Sequence, residues 1–225
     1  MLAMLLAATV TISAADATPA DAARASLQGA ALLHQHEPMS FGVYYYPQQW
    51  PRKQWQRDFN GMARLGFDFT HMAEFSWTYL EPEQGHFDFS WLDQAIAEAS
   101  KAGLRVVLGT PSAAPPSWMN RYPQVYRVDE HGERHQFGIR AENSLANPAY
   151  QAFVAKVVTA MARHYGHDPR VWGWQVDNEP NTFSDYSDSA RDAFRQWLRQ
   201  KYGNIDAMNA AWGSSFWSSR YRNFD

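Results

Sequence analysis

The feature that most constrains this chain is a repeated alternation. From residue 41 onward, short apolar runs take turns with amphipathic stretches. Residues 41–46, 67–73, 104–109 and 171–176 read as strands, bounded by Pro47, Gly66, Gly103 and Gly109. Pro51 opens a stretch in which Trp55, Phe59, Met62, Ala63 and Leu65 fall at helical spacing. Ser90 is placed to N-cap a helix carrying Leu92, Ile96 and Ala99, and residues 150–165 put Phe153, Val157, Val158 and Met161 on one face. Residues 185–202 and 205–212 read as two further helices. Strand–helix units in succession imply a parallel sheet. An open nucleotide-binding sheet would show a Gly-rich turn after its first strand, where this chain has Pro47-Gln48-Gln49-Trp50-Pro51. The expected fold is therefore α/β, a (β/α)8 TIM barrel with only about the first half present, four to five β/α units. A whole barrel takes about 250 residues and eight strands. Four strands would leave open edges, which native domains avoid, so the chain is expected to be truncated.

Charge and composition narrow the partners. With a formal net charge of -3 and no basic block, neither nucleic acid nor a membrane surface is an expected partner. The absence of cysteine removes disulfides, thiol nucleophiles and thiolate metal sites. No His-Glu-x-x-His, phosphate loop or Gly-x-Ser-x-Gly elbow occurs, so neither a metal nor a cofactor is expected. His34, His36, His71, His131 and His135 form no metal-ligand pattern and read as solvated or core residues. Ten Trp, eleven Tyr and thirteen Phe mostly suit core packing, but an excess of Trp also suits stacking on the apolar faces of sugars. Residues 1–15, MLAMLLAATVTISAA, resemble the apolar segment of a signal peptide, although a basic start is missing. Export to the periplasm or the extracellular space is expected, with residues 16–40 as a mobile leader and 41–225 as the partial catalytic barrel.

Candidate site residues lie where strands end. Residues 171–176 run straight into Asp177-Asn178-Glu179-Pro180. In parallel α/β folds catalytic residues gather at the carboxyl ends of strands. A glutamate there, beside apolar rings and an amide, is placed to hold a proton as a general acid. The plain alternative is a solvated Glu opening a loop. Glu74 closes the second strand, either lining a site or supporting it from within as a buried, hydrogen-bonded group. Arg140 lies in residues 110–147, a Pro-rich stretch without period, and suits clamping sugar hydroxyls as well as an ordinary surface role. Glu142 and Asn143 beside it are equally ambiguous. Glu81-Pro82-Glu83-Gln84-Gly85 reads as a structural turn.

Taken together, several segments resemble one family. Phe41-Gly42-Val43-Tyr44-Tyr45-Tyr46-Pro47-Gln48-Gln49-Trp50-Pro51, Ala73-Glu74-Phe75-Ser76-Trp77, Leu80-Glu81-Pro82-Glu83-Gln84-Gly85, Gly109-Thr110-Pro111 with Ala114-Pro115-Pro116-Ser117-Trp118, and Gly173-Trp174-Gln175-Val176-Asp177-Asn178-Glu179 are similar to the β-galactosidases of glycoside hydrolase family 42. The Asn-Glu pair is shared by many barrel glycosidases, but the ordered set is specific. The resemblance implies a retaining glycosidase that cleaves terminal β-D-galactosides. It casts Glu179 as general acid/base, Asn178 as the neighbour that binds the sugar 2-hydroxyl, and Arg140 and Glu74 as substrate-binding residues. The family's nucleophile is a Glu on the seventh strand, so none is expected in this chain. Many relatives hold zinc on cysteines; Ser144 stands at one ligand position, and no zinc is expected. His71 and Pro180 stand where relatives often have Arg and Tyr. The expected partner is a β-galactoside or oligosaccharide, with homo-oligomers at full length. Two alternatives remain open, a related barrel acting on other β-glycosides and a non-catalytic sugar-binding remnant.

Overall fold

Four strands lie side by side in chain order, all parallel: β1 (Gly42–Tyr44), β2 (Phe69–Met72), β3 (Arg105–Gly109) and β4 (Val171–Gln175). A computed structural model describes residues 39–180 and 184–225. The signal-like segment, and all of the leader except Met39 and Ser40, lie outside the described residues. Helices connect the strands: α1 (Arg52–Arg64), the single turn α2 (Trp77–Leu80), α3 (Ser90–Lys101) and α4 (Pro148–Tyr165). After β4 come α5 (Asp188–Tyr202) and α6 (Ile205–Trp212).

The two-residue period of the strands divides the sheet into two chemical faces. Thr70, Met72, Val106 and Leu108 are fully buried, packed under the helices. There they meet Trp55 and Phe59 of α1, Leu92, Ile96 and Ala99 of α3, and Phe153, Val157 and Met161 of α4. Tyr44 and His71, paired in register, stand on the other face. The core thus lies between the sheet and its helices, and the opposite face is mixed, with Phe69, Val107 and Trp172 beside His71 and Arg105.

Two local expectations are corrected. Ser90 is the first helical residue rather than the cap, because the Asp88 carboxylate accepts the Ser90 N–H at 2.8 Å and takes the capping role. The fourth strand is half-buried rather than buried, and Val176 after it is 82% exposed. Among the described residues β4 is an edge, with a neighbour on one side only. Residues 110–147 form a folded unit. Three short 3-10 turns bury Trp118, Met119 and Val125, and isolated bridges join Tyr126 to Asn143 and Val128 to Arg134. Asn147 closes the unit by capping α4, accepting from the N–H groups of Ala149 and Tyr150 at 3.0 and 3.1 Å.

Candidate active site

The carboxyl ends of the four strands converge on one polar surface. The turn after β4 carries Asp177, Asn178 and Glu179. Asp177 and Glu179 both have positive φ, 59° and 49°, a conformation costly for residues with a Cβ. A hydrogen-bond network holds the turn against that cost. Thr110 Oγ1 accepts the Asp177 N–H at 2.7 Å. Ser112 and the Asn178 N–H both donate to Asp177 Oδ1, at 3.0 and 2.8 Å. Gln175 donates to the Asp177 carbonyl at 3.0 Å, and its own Oε1 accepts from the Tyr44 hydroxyl at 3.0 Å. Strand ends β1, β3 and β4 are thereby tied together before any functional side chain is placed.

Glu179 projects from this turn with its side chain 55% exposed. Its Oε2 accepts from Arg140 Nη1 at 2.7 Å. In place of the expected apolar rings, one partner among the described residues is a guanidinium delivered by the loop after β3. Arg140 also lies over the Phe75 ring, 5.7 Å from its centroid. Phe75 stacks in parallel with Tyr46 at 6.0 Å. Tyr46 in turn donates to Glu74 Oε1 at 2.8 Å. Burial, and then the bond to Glu74, push the Tyr46 phenol above its ordinary range, so it stays a donor. A continuous path therefore runs Glu74–Tyr46–Phe75–Arg140–Glu179.

The structure brings Glu179, Asn178 and Arg140 to one surface. Glu74 is different. It is 3% exposed, and its Oε1 accepts from the Tyr46 hydroxyl, which stands between it and the surface groups. Glu142 and Asn143 are likewise buried, with Glu142 beside Arg127 and His135. Glu81 is structural, accepting from Trp77 Nε1 and the Gly85 N–H, each at 2.7 Å. Sequence reasoning did not single out Tyr46, Phe75 or Asp177. Their positions, two or three residues beyond strands, are the signal that could have found them.

His71 sits beneath Glu74 at 4% exposure, with the Tyr44 ring 4.3 Å away between centroids. Burial lowers its pKa to about 4, so the imidazole is neutral near pH 7. The 3.7 Å from Nδ1 to Glu74 Oε2 is therefore not an ion pair. Gly109 makes this closeness possible. A Cβ there would lie 2.4 Å from Glu74 Cβ, 2.8 Å from Glu74 Cα and 2.9 Å from His71 Cε1. Gly109→Ala is expected to cost about 2 kcal/mol through overpacking, read as a lower urea midpoint at unchanged slope. An unmoved midpoint would mean that the strand ends tolerate more room than this.

Comparison with known proteins places the arrangement. The β-galactosidase model of glycoside hydrolase family 42 matches residues 44–225. The chain is 45% identical over 187 residues to the β-galactosidase BgaA of a Thermus species, covering 81% of this chain and 29% of that protein. The solved β-galactosidase of the haloarchaeon Halorubrum lacusprofundi superposes with a TM-score of 0.77 at 42% identity, over 83% of this chain and 29% of that one. That of the psychrophilic Marinomonas ef1 gives 0.76 at 41% identity, over the same shares. The chain thus spans about 29% of the length of the relatives it matches. Its four-stranded parallel sheet is an arc of their (β/α)8 barrel. On its sequence and its fold alike, the chain belongs to glycoside hydrolase family 42.

Proposed function

We propose that this chain is the acid/base-bearing part of a retaining glycosidase that removes terminal β-D-galactosyl groups. The observation that carries the reading is Glu179, an open carboxylate at the end of β4, held by Arg140 from the neighbouring loop. In a retaining mechanism two carboxyl groups about 5–5.5 Å apart share the work. One attacks the anomeric carbon. The other protonates the departing oxygen and later takes a proton from water. Glu179 is assigned the second role. Asn178, fixed by its N–H bond to Asp177, is assigned the sugar 2-hydroxyl. Arg140 binds the sugar, which requires it to exchange Glu179 for substrate oxygens. The nucleophile lies beyond residue 225, a reading supported by the greater length of the relatives. Export, with residues 1–15 removed, completes the proposal, and the N-terminal sequence of the secreted protein tests it.

Hydrolysis of a panel of nitrophenyl β-glycosides by the protein as its gene encodes it tests the substrate. The β-galactoside is expected to be cleaved with the highest kcat/KM. A different best substrate would move the protein to the wider set of barrel glycosidases. Residues 16–225 alone are expected to show no turnover. Hydrolysis by that piece, abolished by Glu179→Gln, would overturn the assignment of the nucleophile to a later segment.

A further inference from the structure

The imidazole of His71 is a group that the proposed reaction does not use. It lies on the face of the sheet away from the helices, paired in register with Tyr44 and against the Tyr44 ring. Its Cε1 edge faces the bare α-carbon of Gly109. Among the described residues neither ring nitrogen has a hydrogen-bond partner, nor does Glu74 Oε2, and all three atoms are buried. Buried polar atoms are seldom left unmatched, since each forfeits its bonds to water. Here two of the three lie side by side. Nδ1 and Oε2 are 3.7 Å apart, so a shift of roughly 0.8 Å brings them to hydrogen-bond distance. Catalytic hydrogen bonds are often long until substrate is bound.

The geometry points to His71 as a positioning residue for the site: as a neutral imidazole protonated at Nδ1, it donates to Glu74 Oε2 and so fixes the carboxylate that holds Tyr46. The consequence passes outward along contacts already described. Glu74 sets the Tyr46 hydroxyl, Tyr46 sets the Phe75 ring, and Phe75 carries the Arg140 guanidinium that holds Glu179. A neutral donor suits the task. It satisfies Oε2 without adding a second positive charge beneath Arg140.

The inference rests on the proposed glycosidase reading for its functional arm and on the fold alone for its structural arm. The structural arm is nitrogen NMR of the His71 side chain in the 225-residue chain at pH 7. The Nδ1-protonated neutral tautomer is expected, and the Nε2-protonated tautomer or a doubly protonated ring would overturn the inference. The functional arm compares His71→Asn with His71→Gln in the protein as its gene encodes it. The Asn amide N–H falls near the place of Nδ1, and that of Gln near the place of Nε2. Losing a positioned hydrogen bond costs about tenfold in rate. The Asn variant is therefore expected to lose about threefold in kcat and the Gln variant about thirtyfold, with KM moving less than kcat in both. Equal losses, or losses that follow side-chain volume, would reduce His71 to a packing residue. Should the wild-type protein cleave no galactoside, the proposed function fails and the NMR result alone decides for or against His71.

Discussion

In the protein as its gene encodes it, Glu179→Gln is expected to lower kcat on an unactivated alkyl β-galactoside by about 10²–10⁴-fold, the usual span for the acid/base role proposed for it. The substitution keeps the shape of the side chain, and its amide oxygen can still accept from Arg140, so the fold and the Arg140 contact are retained. What is lost is the proton. The size of the loss should depend on the leaving group. A nitrophenolate departs without protonation, so the first step on a nitrophenyl galactoside should suffer far less than on the alkyl one. The second step still needs a base for water, so the galactosyl intermediate should accumulate and give a burst. Azide needs no base, and adding it should restore turnover and yield the β-galactosyl azide. A variant that hydrolyses the alkyl galactoside at the wild-type rate would remove Glu179 from the chemistry. Equal losses on both substrates, with no rescue by azide, would make it a structural residue of the turn.

The fold was legible wherever one periodicity ran long enough. The helix α4 could be read from Phe153, Val157 and Met161 because each is buried in the core. The strands were found but drawn too long. Backbone pairing ends at Met72 because Ala73 takes a φ of 77°, which no pattern of apolar residues announces. The candidate site was legible as residues and illegible as an arrangement. Asn178, Glu179 and Arg140 could be chosen by chemistry, yet their placement depends on Asp177, Thr110, Ser112 and Gln175, ordinary polar residues separated by up to 67 positions. The sequence also could not decide between the two roles of Glu74. Nor could it announce the burial of Glu74, which follows from Gly109 and His71 on neighbouring strands meeting its side chain. Strain and close approach are properties of converging strand ends, and they come into being only when the sheet forms.

The same convergence gives the folded protein a pH dependence. His71 has a pKa of about 4 in the fold, lowered by burial from 6.5 in an unfolded chain. Between those values the unfolded chain binds a proton that the folded chain refuses. Stability must therefore rise with pH across this window. Its contribution is fully present above pH 6.5, falls as pH drops toward 4, and changes no further below that. At 1.36 kcal/mol per pH unit the full effect is about 3 kcal/mol. The groups facing the imidazole are Tyr44 and Glu74. Three carboxylates add a separate loss, since hydrogen bonds hold Asp88, Asp129 and Asp168 below the ordinary range. Their contribution is present above pH 3.8 and disappears at more acid values, outside the histidine window. Urea unfolding at pH 4.5 and pH 7 isolates the His71 share. The wild-type chain is expected to lose most of about 3 kcal/mol between the two, and His71→Asn, which cannot titrate, to lose that much less. The variant has its own packing cost, but that cost is the same at both pH values and cancels in the difference. If wild type and variant show the same change with pH, His71 is not the group that the fold keeps neutral, and the donor assigned to Glu74 Oε2 must be sought elsewhere.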